Sequence, residues 1–219
     1  MIGRTEQNAI ATAQITGDRE NQEDSLATYV ISDDTSEHKD ERLLVLADGM
    51  GGHAGGEVAS KLAVESFVEA YINSQAIIPE SLRSSLDSAN QRLADTVAEA
   101  PKLRGMATTL IGCAINKSHL YWISVGDSPL WVFRSGILHR INADHSMVPV
   151  LDEMVREGTL EPEEALSDFR RNLLRSGVSG KAIELIDLSE EPYQLLAEDI
   201  IILASDGVET LSGDELVSV

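Results

Sequence analysis

Two apolar runs in the sequence end in an aspartate followed by glycine: Leu43–Ala47 before Asp48-Gly49, and Ile200–Ala204 before Ser205-Asp206-Gly207. A continuous run of branched residues predicts a strand buried on both faces. A carboxylate at the end of such a strand needs a partner for its charge. The glycine that follows permits a sharp turn and a close approach of backbone to a ligand. One such Asp is explained as a turn cap. Two, each at the end of a core strand, point to a hard divalent cation, Mg²⁺ or Mn²⁺, which takes oxygen donors from rigid supports and keeps part of its water. A further acidic step, Glu23-Asp24, follows Arg19 by four and five residues. Arginine offers phosphate a planar fork of donors; the plain alternative is an exposed Arg–Glu pair of little worth. Asp127, in Gly126-Asp127-Ser128, is on its own an ordinary turn residue at a hairpin between two apolar strands.

Other chemistries find less support. His38, His53, His119, His139 and His145 show no H-x-x-x-H ligand spacing, and only His53 lies in the glycine-rich stretch Met50–Gly56. That stretch lacks the Gly-Lys-Ser/Thr ending of a phosphate-binding loop and the G-x-G-x-x-G of a dinucleotide site, which disfavours nucleotide binding. There is no G-x-S-x-G nucleophile elbow. Cys113, the one cysteine, sits in an apolar strand-like stretch and reads as a buried thiol, with no disulfide framework.

The 219 residues, 42% hydrophobic, suffice for one large domain with its own core. Acidic residues outnumber basic ones 37 to 17, for a formal charge of -20. That argues against nucleic acid or an anionic membrane as a partner, since both need a basic face. Solubility explains most of the acidity, and carboxylates gathered around cations the rest. No segment reads as a signal peptide or a membrane span, so a soluble cytoplasmic protein is expected.

The elements that must hold these residues follow from periodicity. Residues 8–16 and 25–31 read as strands flanking the turn with Arg19 and Glu23, and 42–47 as the first buried strand. Ala59, Leu62, Ala63, Phe67, Ala70 and Tyr71 form one apolar helical stripe, and Leu82, Leu86, Ala89, Leu93 and Val97 a second after Pro79. Residues 107–115, 120–125, 130–133 and 137–141 predict an antiparallel meander with turns between. A short helix is expected at 147–156, then a polar stretch with Arg170, Arg171 and Arg175. Strands are expected at 183–188 and 199–204, and a helix from Ser212, with Glu215 completing a capping box. Strands, then two helices, then strands again predict an α+β fold of two packed antiparallel sheets with helices outside.

Taken in order, Arg19-x-x-x-Glu23-Asp24, Asp48-Gly49-Met50-Gly51-Gly52-His53, Gly105-Met106-Ala107-Thr108-Thr109, Gly126-Asp127-Ser128, Asp144-His145-Ser146 and Ser205-Asp206-Gly207-Val208 resemble the metal-dependent protein phosphatases, the type 2C family, in bacterial form. The resemblance implies an α-β-β-α sandwich, two sheets flanked by helix pairs. It implies two Mg²⁺ or Mn²⁺ ions bridged by Asp48, with Glu23 and the Gly49 carbonyl on one and Asp206 on the other. Asp24 would hold metal-bound water, Asp127 would join Asp206 on the third, weaker ion of many members, and Arg19 would bind the substrate phosphate. A metal-activated water would then hydrolyse phosphoserine or phosphothreonine in phosphoproteins. A Ser/Thr kinase or its targets would be the partners in signalling, and the protein a monomer.

The resemblance also implies one catalytic domain over residues 1–219, with a flap subdomain at about 146–180. Two departures stand out. Met50 occupies the place where animal members carry a histidine proposed as general acid, so a metal-bound water is expected to protonate the leaving group. The family's last core strand, with its Asp-Asn motif, has no counterpart, so a truncated domain with an exposed sheet edge is expected. Two competing readings are an impaired phosphatase-like domain acting as a binding or regulatory module, and an acidic cation-binding protein. The retained Arg19, Glu23, Asp48 and Asp206 argue against the first, and Arg19 with the lack of any D-x-D-x-D-G loop against the second.

Overall fold

The computed structural model describes residues 10–17, 21–31, 41–51 and 55–210. Among these residues ten strands and four α-helices follow one another as β1 (Asp24–Ile31), β2 (Glu41–Met50), α1 (Gly55–Ile72), α2 (Ile78–Glu99), β3 (Ala107–Thr108), β4 (Leu110–Asn116), β5 (His119–Val125), β6 (Leu130–Arg134), β7 (Ile137–Arg140), α3 (Val148–Arg156), α4 (Pro162–Ser167), β8 (Asp187–Leu188), β9 (Tyr193–Gln194) and β10 (Ile200–Leu203). They build an α+β sandwich. A seven-stranded antiparallel sheet runs β1-β2-β4-β5-β8, with β3 on β2 and β9 on β5, and a three-stranded sheet runs β10-β6-β7.

The core lies between the large sheet and the α1/α2 pair. Phe67 and Tyr71 of α1 are fully buried over Leu43, Val45 and Ala47 of β2, and Leu82, Leu86 and Leu93 of α2, equally buried, join the same core with Ile123 and Val125 of β5. Gly112 of β4 makes room for this contact: a Cβ there would stand 2.4 Å from Phe67 Cζ. A second cluster, Ile111, Cys113, Ile115, Leu120, Leu130 and Val132, fills the seam between the sheets. Part of that seam is a cavity of about 950 Å³, lined by Leu26, Leu44, Leu46, Ile115, Ile201 and Leu203.

Several expectations need correction. β2 is not buried on both faces. Its odd-numbered residues lie under the helices, while Leu44, Leu46 and Asp48 are half-buried toward the seam. Nor does it stop at Ala47, because Gly49 and Met50 still pair with Thr108 and Ala107. β10 is also less buried than its isoleucines suggest: Ile200 is 55% exposed, at the edge of the small sheet. Residues 10–16 form no strand; Ala11 and Ala13 are poor strand formers, and Gln14 bonds the Asp24 carbonyl through its side-chain amide at 2.8 Å.

The predicted meander is broken in two. β4 and β5 pair in one sheet and β6 and β7 in the other, so residues 126–128 form a corner between sheets rather than a hairpin. The predicted strand at 183–188 shrinks to Asp187–Leu188, because the Ser176 hydroxyl bonds both the N–H and the carbonyl of Leu185, at 3.0 and 2.8 Å. α4 was not foreseen in the polar stretch; Pro162 opens it, and the Glu164 carboxylate accepts the Glu161 N–H at 3.4 Å. The helix expected from Ser212 lies outside the described residues.

Candidate active site

The seam ends in acid. Asp48 and Asp24 are direct neighbours across the β1–β2 ladder, so their side chains share the face that looks toward the small sheet. The Ser205 hydroxyl, just past β10, donates to Asp24 Oδ2 at 3.0 Å. That bond crosses the seam and brings the end of β10 to the start of β1. Asp206 follows at once, exposed, as the first residue of a 3-10 turn over Asp206–Thr210.

Glu23 is placed by two glycines. The Gly49 N–H donates to the Glu23 carbonyl at 3.1 Å. A Cβ on Gly49 would stand 2.2 Å from the Gly56 carbonyl oxygen and 2.6 Å from that of Glu23, so only glycine fits this crossing. A Cβ on Gly56 would stand 2.5 Å from Glu23 Oε1. The Glu23 carboxylate therefore rests against the first turn of α1, where the helix dipole favours negative charge.

Asp127 occupies the corner between the sheets. Gly126 takes φ +105° there, a conformation glycine reaches without strain. Arg140 Nη2 donates to the Asp127 carbonyl at 2.6 Å while Nη1 pairs with Asp144 at 3.4 Å. His145 Nδ1 accepts the Gly126 N–H at 3.2 Å, and burial holds this imidazole below its ordinary pKa. The Asn142 carboxamide accepts the Leu130 N–H at 2.8 Å and donates to the Ser128 carbonyl at 3.0 Å. Burial first, and then the charges of Asp206 and Asp144, push the Asp127 carboxyl up to about 6, against the pull of its own backbone N–H and Arg140. Asp127 and Asp206 are thus electrostatic neighbours.

The carboxylates come as pairs, Asp24 beside Asp48 and Asp127 beside Asp206. Among the described residues no three His, Cys, Asp or Glu side chains form a ready-made cage. The donor chemistry nonetheless fits a hard divalent ion, because every group offered is an oxygen. A cation held there would offset the burial and the neighbouring negative charges that raise the Asp127 carboxyl.

The family model of protein phosphatase 2C matches residues 18–218. The chain belongs to the protein phosphatase 2C family. A serine/threonine phosphatase Stp of Listeria welshimeri is 33% identical over 183 residues, 80% of this chain and 70% of that protein. The crystal structure of the Mycobacterium tuberculosis phosphatase PstP superposes with a TM-score of 0.74 at 32% identity, covering 91% of this chain and 79% of that one. The PstP catalytic domain in complex with two manganese ions gives a TM-score of 0.67 at 30% identity, covering 90% of this chain and 76% of that one.

Within this protein phosphatase 2C chain, the structure brings Glu23, Asp24, Asp48 and the Gly49 backbone together on β1 and β2. It sets Asp127 near Asp206 at the adjoining ends of β6 and β10, where the Ala204 N–H donates to the Pro129 carbonyl at 3.2 Å. Arg19 and His53 lie outside the described residues. Ser205 and Gly56 figure in the sequence only as parts of longer motifs; the structure gives them positioning roles, Ser205 on Asp24 and Gly56 beside the Glu23 carboxylate. The serine beside Asp206 was the available signal for one, and the second glycine of Gly55-Gly56 for the other.

Proposed function

We infer that this chain hydrolyses phosphoserine and phosphothreonine in phosphoproteins in a Mg²⁺- or Mn²⁺-dependent reaction at the acidic end of the seam. The chain is an enzyme, a serine/threonine protein phosphatase, as its family and relatives indicate. The observation that carries the reading is the Ser205–Asp24 bond, since it draws carboxylates from both sheets to one place. Glu23, Asp48, the Gly49 carbonyl and Asp206 would hold two ions, with Asp24 orienting their water; Asp127 and Asp206 would hold a third. Divalent cations bound there would supply an activated water and offset the charge on the phosphoryl group. Arg19 would grip the substrate phosphate with its guanidinium fork.

The 146–180 segment serves as the flap beside this site. Its base supports that role: the His145 N–H donates to the Gly126 carbonyl at 3.1 Å, and Val178 and Thr108 exchange two backbone bonds of 2.9 Å. Both ends of the segment are thereby tied to residues next to Asp127 and Asp48. The proposed setting is cytoplasmic, as a monomer acting against the products of a Ser/Thr kinase. Among the described residues no helix is long and apolar enough to cross a membrane.

Phosphate release from a phosphothreonine peptide tests the reading. Mn²⁺-dependent release that chelator stops, lost in Asp48→Asn and sharply reduced in Arg19→Ala, is the expected result. Release unaffected by chelator or by Asp48→Asn would overturn it.

A further inference from the structure

Thr109 stands between Asp48 and the corner that carries Asp127. Its hydroxyl accepts the Asp48 N–H at 2.9 Å and shares a hydrogen bond of 2.7 Å with the Ser128 hydroxyl. Its own N–H donates to the Asp48 carbonyl at 2.9 Å, and the Thr108 hydroxyl donates to the same oxygen at 2.8 Å. Both backbone polar groups of Asp48 are therefore held by this threonine pair, at the break between β3 and β4. On the far side, Gly126 lies directly on Thr109: a Cβ there would stand 2.6 Å from Thr109 Cγ2. The chain of bonds continues through the Asn142 carboxamide, which donates to the Ser128 carbonyl at 3.0 Å and the Ser124 hydroxyl at 3.2 Å.

The hydroxyl and amide side chains of this network are all buried; Thr109, Ser124 and Ser128 are each 1% exposed. A valine, β-branched like threonine, would fill the Thr109 position between the two strands equally well. A hydroxyl in so dry a place is costly unless its bonds are made, and a fully satisfied buried network fixes geometry.

We propose that Thr109, acting through Ser128, is a positioning residue that fixes the spacing between Asp48 on the large sheet and Asp127 at the corner to the small one, and so sets the affinity of the centre for divalent cations. This rests on the reading of Asp48 and Asp127 as metal-binding groups. Neither hydroxyl touches the substrate in this account. They hold in register two groups that different sheets supply, and groups behind metal ligands typically change affinity about 10-fold or more when lost.

The test uses the full chain and four variants: Thr109→Val, Thr109→Ser, Ser128→Ala and the double change Thr109→Val with Ser128→Ala. Calorimetric titration with Mn²⁺ reads the metal. Amide exchange of the metal-free protein reads the link, at Gly126 and Leu130, with Phe67 in α1 as reference. The expected result is Mn²⁺ affinity about 10-fold weaker in Thr109→Val, near-normal affinity in Thr109→Ser, and a double variant no worse than either single one. Exchange at Gly126 and Leu130 rises in Thr109→Val while Phe67 holds. A Thr109→Val protein that melts lower but keeps its Mn²⁺ affinity and corner exchange would overturn the proposal, because Thr109 would then merely pack. A wild-type chain that binds no Mn²⁺ would overturn the metal reading and the affinity claim together. The exchange comparison would still decide whether Thr109 links the two positions.

Discussion

The two sheets do unequal work. The large one is backed by α1 and α2, and Leu43, Ala47, Phe67 and Tyr71 between them are fully buried. Among the described residues the small one has three strands, and β10 at its edge is only partly buried, beside a cavity of about 950 Å³. Yet the acidic end of the seam draws on both: Glu23, Asp24 and Asp48 from the first, Asp206 from the end of the second, and Asp127 from the corner between. A site assembled this way inherits rigidity from one side and must be tied down on the other. The Ser205–Asp24 bond and the Thr109–Ser128 pair do that tying, and both are hydroxyl contacts between groups far apart in the chain.

The comparison can be broken most sharply in the core. Phe67→Ala is expected to destabilise the chain by about 3–5 kcal/mol in urea unfolding, since a fully buried aromatic is lost and Gly112 cannot fill the space. Ile201→Ala on β10 removes a side chain that is only partly buried, so roughly 1–2 kcal/mol is expected. Equal losses at the two positions would contradict the contrast between the sheets.

A smaller effect sharpens the picture at the corner. Burial lowers the His145 pKa below its ordinary 6.5, with Asp187 and Asp144 pulling upward and Arg175 and Arg140 downward. As pH falls below about 6.5, the unfolded chain takes up this proton before the folded one, so the contribution of His145 to stability falls with it. His145→Asn is expected to flatten the melting-temperature profile between about pH 6.5 and 5. An unchanged slope would remove His145 from the account of the corner.

Much of this was legible in the residues. The stripes of α1 and α2 follow helical spacing through a well-packed core, and periodicity reports burial of that kind directly. The acids were legible for a related reason: Asp48 and Asp206 interrupt apolar runs, where a charge demands explanation. The sheet switch at 126–128 was not legible. β5 and β6 are equally apolar and separated by an ordinary turn, and nothing local says which neighbour each will pair with. The half-exposure of β10 escaped for the converse reason, since Ile200–Leu203 carries the composition of a central strand while sitting at an edge. Thr109 and Ser128 escaped because a hydroxyl acquires meaning only once its partner, nineteen residues away, is in place.

The most direct test of a centre shared by both sheets is anomalous diffraction from crystals of this chain grown with Mn²⁺. The account predicts manganese peaks at the end of the seam, with Asp48 of the large sheet and Asp206 beyond the small one coordinating the same cluster. Manganese held by residues of one sheet alone, or away from the seam, would contradict it.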